Sequence, residues 1–477
     1  MGQDEGLGGY LKGYVSAALI CCGPWILTVL TLLGADLLMH DLMGGMAAPN
    51  LFRLVIVYVY AFSLISTGAL QTTVTRYLAD RLYAEEPEHQ LPTYLALCLI
   101  NSPIQALLAL LGVAGLPIAV GVKVAAIALF VLVGNLWLLM IFLGAVRAYR
   151  DIVTAFVLGT LVSLLAMASL AGLGELGFLL GYLLGQTVAY VWMLRLLVRE
   201  FPWKLDLDFG FVSYFFKYPA LGAAGFLLNL GVWTGVFAYW LSPYATWHHG
   251  LPSYYPHHDV AVFLALLTMI PALVVFFVNT ETDFYEGYRA FFGGITTGKV
   301  RLSELQRRKA EMSETLQSGF ADIIKVQGLV TLVVALFPEA VFGFLELPEE
   351  VYPVVRNCAV GALLLVLFQC VTTILLYYEA YPQVAWSAFL LVAGNALGAW
   401  GSLGLGTWSH GLGLVLGSSM ALVMASGQLF WVLHNLERVT FMGQPMPGQV
   451  VLPAGDADSA FGQTLMRDGQ WLEGSGL

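Results

Sequence analysis

The residues best placed to do chemistry sit at the ends of long apolar runs. Gln71, Thr72, Thr73 and Thr75 lead into Arg76, Asp80 and Arg81. Arg76 and Asp80 are one helical turn apart and can pair, which leaves Arg81 for another acid. A second charged group, Glu281, Asp283 and Glu286, closes a later apolar run. Opposite charges at two such ends predict a gate or entry lip in which Arg76 or Arg81 meets Glu281, Asp283 or Glu286. The same side chains also serve as interfacial anchors that orient helix ends, or as a solvated acidic turn.

Uncharged polar residues inside the apolar runs are candidates to line a path: Gln71, Asn101, Gln105, Asn135, Gln186, Asn229, Gln369 and Asn395. An amide can satisfy the hydroxyls of a polar solute without desolvating a charge. Tyr58, Tyr60, Trp233, Tyr377 and Tyr378 could stack on the rings of such a solute. Taken singly, each also reads as interhelical hydrogen bonding or core packing. Asp36 and Arg53 could anchor one helical hairpin or reach separately to the interface. No acid lies convincingly at midplane, where a proton relay would need one.

Enzyme and metal chemistry find little support. Asp206-Leu-Asp208 has the spacing that holds a metal–nucleotide-sugar, but the short segment around it cannot build a nucleotide-binding domain, so it reads as a linker. His248-His249 and His257-His258-Asp259 could bind a metal, yet incidental exposure in a loop is the simpler expectation. The five Cys (Cys21, Cys22, Cys98, Cys358 and Cys370) lie in or beside apolar stretches with no CxxC pair. That argues against a disulfide framework or a zinc site. No catalytic, metal or cofactor-binding residue is expected.

The elements that must position these residues are membrane helices. Of 477 residues, 59% are hydrophobic and 11% charged, and mean hydropathy is +0.79. A soluble protein carries roughly 25% charged residues. Net charge is −10, with no basic stripe for nucleic acid. The apolar runs predict an all-α polytopic membrane protein with about twelve helices, beginning near Tyr14, Leu51, Leu91, Val120, Asp151, Leu176, Val212, Asp259, Gly319, Val354, Val384 and Gly411. The first run, Tyr14 to Leu38, is too long for a cleaved signal and reads as a retained helix. Lys and Arg fall on alternate breaks, with only Arg53, Lys123 and Arg356 on the other side. Both termini are therefore expected in the cytoplasm.

The even helix count suggests two six-helix lobes: 1–200 and 212–436, a linker at 201–211 and a cytoplasmic tail at 437–477. Within the second lobe, 281–317 is a cytoplasmic amphipathic segment. Its Leu302, Leu305, Met312 and Leu316 share a stripe beside Arg308, which suits a helix lying along the membrane or docked against a partner.

Three motifs carry a family resemblance: Gly23-Pro-Trp25, Phe62-Ser-Leu-Ile-Ser-Thr-Gly-Ala-Leu-Gln-Thr-Thr-Val-Thr-Arg-Tyr-Leu-Ala-Asp-Arg81, and Glu281-Thr-Asp-Phe-Tyr-Glu286. Together they resemble the PelG family, the polytopic subunit of Pel exopolysaccharide export, within the multidrug/oligosaccharidyl-lipid/polysaccharide flippase superfamily. The resemblance covers roughly Gly9 to Leu436. It departs at the N-terminus, where a longer, more basic lead is expected, and in the tail. It implies twelve helices in two lobes, a bacterial inner-membrane location, an aminosugar-rich polymer as substrate, and assembly with a cytoplasmic glycosyltransferase, PelF, and membrane partners PelD and PelE. The alternatives are a drug/ion antiporter or lipid-linked oligosaccharide flippase of the same superfamily, and, disfavoured, a membrane-embedded glycosyl- or acyltransferase.

Overall fold

The computed structural model describes residues 31, 34–35, 50–145, 149–202, 206–248, 250–297 and 300–442. Most of the expected first helix, with Gly23-Pro-Trp25, Cys21, Cys22 and Asp36, lies outside them, as do His249 and everything beyond 442. The described chain is helical but for one hairpin. Eleven of its helical stretches are long and apolar enough to cross a membrane.

The first lobe contains α1 (Asn50–Tyr83), α2 (Gln90–Val113), α3 (Val120–Ala145), α4 (Tyr149–Leu170) and α5 (Glu175–Glu200). Neighbours pack pairwise, α4 against α5 and α3 against α1, α2 and α5. Phe52, Phe178 and Tyr182 fill the core at one end, and Tyr77, Tyr94 and Phe142 at the other. After the linker comes the short α6 (Phe211–Lys217), whose Phe211 is buried in the first lobe's core. Pro219 then begins α7 (Pro219–Trp240). A proline excludes the residue before it from helical backbone, and Tyr218 is accordingly non-helical at φ −126°, ψ 58°. The predicted helix from Val212 is thus two pieces, because the apolar pattern runs straight through this break.

Beyond α7, β1 (Thr246–His248) and β2 (Leu251–Tyr254) pair antiparallel. Gly250, at φ +82°, makes their turn in a conformation glycine adopts without strain. The second lobe continues through α8 (Pro256–Leu267) and α9 (Ile270–Asn279). Pro271 has no N–H to give the Leu267 carbonyl, and the helix predicted to run on from Asp259 breaks there. A π-helical turn, Thr280–Phe284, leads into α10 (Tyr285–Thr297). Next is α11 (Leu302–Leu336), 35 residues long. At 1.5 Å per residue it spans roughly 52 Å, more than the ~30 Å hydrocarbon core, so its polar first half projects. The membrane helix predicted from Gly319 and the amphipathic segment before it are one continuous helix. The lobe closes with α12 (Pro338–Phe342), α13 (Val351–Tyr377), α14 (Tyr381–Ser402), α15 (Leu412–His434) and α16 (Leu436–Met442). Buried α13 is its centre, packed by α8, α11 and α15.

α10 folds back on the projecting half of α11. Leu305, Met312 and Leu316 are buried there. Arg308 Nη1 donates to the Ala290 carbonyl at 2.6 Å. The stripe read as a partner's dock is therefore covered by the chain itself; of its four residues only Leu302 is exposed.

Candidate functional site

Among the described residues the main seam between the lobes is α1 against α7, with the two helices antiparallel. Its chemistry changes from end to end. At the end far from Arg76, the Tyr58 and Trp240 rings stack with centroids 5.0 Å apart, and Phe62 and Phe237 at 5.1 Å. Trp240 is held in place by its indole N–H, which donates to Asp259 at 2.8 Å. In the middle the backbones touch. A Cβ on Gly68 would stand 2.6 Å from the Gly225 carbonyl oxygen, so no larger residue fits there without parting the helices. Asn229 donates to the Leu64 carbonyl at 3.2 Å, and Thr72 to the Leu221 carbonyl at 3.0 Å. At the basic end Arg76 bridges the lobes.

Arg76 pairs with Asp80 on its own helix at 3.3 Å and with Glu379 of the second lobe at 2.5 Å. Its guanidinium lies 5.9 Å from the Tyr218 ring centre, and Tyr218 in turn meets Tyr381 edge-on. Tyr214 donates to Asp80 at 2.8 Å. Burial, with help from Asp80, pushes the Tyr214 phenol up. Glu379 sits in the tight turn between α13 and α14 at φ +56°, a backbone region that non-glycine residues rarely adopt. Among the described residues the pairing differs from the expected one. Arg76 meets Glu379, and Arg81 binds Glu86 at 2.6 Å and Tyr77 at 3.0 Å within its own lobe. Asp283 and Glu286 are exposed instead, because the π turn carries them towards α11. Glu286 lines an open cavity of about 470 Å³ with Arg289 and Arg308. The Glu281 side chain lies outside the described residues.

The amides divide sharply. Asn101 donates to Asn135 at 2.9 Å, and Gln105 donates to Asn101 at 3.1 Å. Ser66 and Gln105 exchange hydrogen bonds at 3.0–3.1 Å, and Asn135 donates to Ser102 at 2.8 Å. This network ties α1, α2 and α3 inside the first lobe. Gln186 is buried in α5, and Asn395 donates to Gly231 within the second lobe at 2.9 Å. Gln71 bonds Thr67 on its own helix at 2.9 Å, and Gln369 is half-buried in α13. Only Asn229 of the predicted set makes a bond across the seam. Among the aromatic candidates, Tyr58 and Trp233 lie at the seam. Tyr60 turns inward to Tyr182 at 2.8 Å, and Tyr377 and Tyr378 pack against Phe284 and Tyr288 at the basic end.

Asp208 has a structural part. It accepts from Tyr77 at 2.5 Å and His89 at 2.9 Å, and from the Gly210 N–H at 2.8 Å, which pins the linker to the first lobe. Its burial opposes the charge, but these donors outweigh that and hold its carboxyl below the usual range. His258 is buried against Tyr239, ring centres 4.0 Å apart, rather than exposed, because the hairpin and α8 fold it into the lobe. Among the described residues no three His, Cys, Asp or Glu side chains are grouped to hold a metal.

Sequence reasoning missed Glu379, Tyr218, Tyr381, Phe62 and Phe237. A weak signal existed for Glu379: it is a lone acid in a short break on the basic side.

Comparison with known proteins places this arrangement. No curated protein matches the chain. Among solved structures, the outward-facing conformation of a multidrug resistance MATE family transporter of the MOP superfamily superposes with TM-score 0.63 at 14% identity, covering 90% of this chain and 96% of that one. The inward-facing conformation of such a transporter gives 0.57 at 14% identity, over 91% and 96%. A MOP superfamily transporter from Pyrococcus furiosus gives 0.56 at 14%, over 91% and 97%. At such identities these likenesses show the fold alone, two helical lobes. The family model PelG, "Putative exopolysaccharide Exporter (EPS-E)", matches residues 1–441, so this chain belongs to the PelG exopolysaccharide exporter family.

Proposed function

We propose that this chain translocates a Pel-like, aminosugar-rich exopolysaccharide across the bacterial inner membrane, by parting and closing the α1–α7 seam, as one component of a synthase–export complex. The observation that carries the reading is the Arg76–Glu379 ion pair, the charged contact that joins the lobes at the basic end. The Arg76 side chain is 27% exposed and that of Glu379 50%. Such a pair contributes only about 0.2–1 kcal/mol, weak enough to break in each cycle. The distribution of Lys and Arg makes this end cytoplasmic, with both termini inside. The cytoplasmic glycosyltransferase proposed as partner, with PelD and PelE in the membrane, would meet the exposed face of the α10–α11 hairpin around Leu302 and Arg307.

An ion-coupled drug antiporter on this fold needs an acid inside the membrane. The buried polar side chains among the described residues are Ser, Thr, Asn, Gln and His, with no Asp or Glu. The polymer reading rests on the family match. Family and fold point to a transporter rather than an enzyme.

The test is charge reversal, with secreted polymer and membrane protein level measured together. Arg76→Glu and Glu379→Arg should each lower secretion about two- to fivefold at unchanged protein level, and the double variant should restore it. Asp283→Arg should leave secretion unaltered. A double variant no better than the singles would contradict the reading.

A further inference from the structure

The far half of the seam is built from rings. On α1, Tyr58 and Phe62 are one turn apart and share a face. On α7, Trp233, Phe237 and Trp240 follow at spacings of four and three and share another. Trp233 and Phe237 are near-parallel, with centroids 6.1 Å apart and planes at 22°. Phe237 and Phe62 are closer to parallel still, at 9°. Tyr58 and Phe62 are tilted by 43° and Phe237 and Trp240 by 58°, so the near-parallel surface is the run Trp233–Phe237–Phe62. Four residues along α7 rise about 6 Å, comparable with one hexose unit of an extended polymer.

Ordinary lobe packing would bury these rings, as it buries Tyr77, Tyr94 and Phe142 inside the first lobe. The seam rings other than the buried Trp240 are treated otherwise. Phe62 is 39% exposed, and Tyr58, Trp233 and Phe237 are half-buried. Across the lobe boundary Phe62 stacks on Phe237 and Tyr58 on the buried Trp240, while Asn229 and Thr72 further along carry polar groups to the same line. A pyranose ring has the complementary surface: C–H groups on its flat faces and hydroxyls or amides around its edge. An aromatic row beside amide and hydroxyl groups suits that ligand, and an ammonium on an aminosugar gains further from a ring face.

Resting on the exporter reading above, we propose that Tyr58 and Phe62 of α1 and Trp233 and Phe237 of α7 are the sugar-stacking lining of the translocation path. With the seam shut the rows stack on one another. With the seam parted each row takes the apolar faces of pyranose units, so that ring–sugar contacts replace ring–ring contacts of similar strength. The polymer then slides along a surface that holds it without fixing one register.

The test is equilibrium binding of a labelled, partially N-acetylated hexosamine oligosaccharide to the full chain in native membranes, alongside polymer secretion in cells. Leucine keeps apolar volume and removes the ring face. Phe62→Leu and Phe237→Leu should each weaken binding about five- to tenfold and lower secretion at unchanged protein level. Trp400→Leu, on an exposed ring outside the seam, should change neither. Phe62→Tyr and Phe237→Tyr keep the ring face and should retain binding. Undiminished binding in both leucine variants overturns the stacking site and leaves the exporter reading standing. Failure of the unaltered chain to bind the oligosaccharide overturns both.

Discussion

Two lines of polar groups leave helix α1 in different directions. One enters the first lobe through Ser66, Gln105, Asn101, Asn135 and Ser102. The other crosses to the second lobe through Leu64 and Asn229, Thr72 and Leu221, and Arg76 and Glu379. The first line joins side chain to side chain, and Asn101 and Gln105 are wholly buried. The second bonds a side chain to a backbone carbonyl twice and ends on a half-exposed ion pair. Breaking the inner line would strand amides in an apolar interior at about 1–3 kcal/mol each. The groups on the seam can find new partners when the helices separate. The contrast separates what must stay together from what must come apart.

The largest effect should come from wedging the seam. Gly68→Leu puts a side chain where a Cβ alone meets the Gly225 carbonyl and the Asn229 amide, both at 2.6 Å. Secretion should be lost while the protein still accumulates in the membrane. Normal secretion would mean the two backbones need not touch.

Next comes the inner line. Asn101→Leu removes the donor to Asn135 and the acceptor for Gln105, leaving two buried partners short of a bond. A lower melting temperature and reduced membrane level are expected, the reverse of the seam phenotype. A variant as stable as the parent would erase the distinction between the two lines.

The smallest effect concerns the linker. Asp208 keeps its charge by hydrogen bonds, so its stabilising contribution is complete above the ordinary carboxylate range and fades as pH falls through its lowered value. Melting of the parent and of Asp208→Asn should differ at neutral pH and converge below about pH 4. A difference independent of pH would show that the carboxylate's charge is not what pins the linker.

Much of the architecture was legible because lipid writes a plain pattern. Helices predicted from Leu51, Leu91, Val120 and Leu176 begin within a residue of where they stand. The reading slipped where apolar pattern and helix part company. Tyr218-Pro219 and Pro271 break the backbone without interrupting the hydrophobicity. At Gly319 the chain enters lipid in mid-helix, so the polarity changes and the helix does not. The site was less legible for a different reason. Arg76 stood out from its own surroundings, but Glu379 is a single acid in a short turn, and what makes it a partner is the approach of a distant helix. Likewise Leu305 and Met312 showed that a stripe would be buried, but not that α10 would be the element to cover it.

The most direct test of the central claim fixes the seam shut and asks whether export stops. In a chain whose native Cys are replaced by Ser, Phe62→Cys with Phe237→Cys places two thiols where stacked rings now meet, within reach of a short bifunctional thiol reagent. Cross-linking should abolish polymer secretion beyond the loss seen in the unlinked double variant, and a cleavable linker should restore it when cut. The same reagent on a pair inside the first lobe, Asn101→Cys with Asn135→Cys, should add nothing to that variant's own defect. Continued secretion through a fully cross-linked seam would contradict the account.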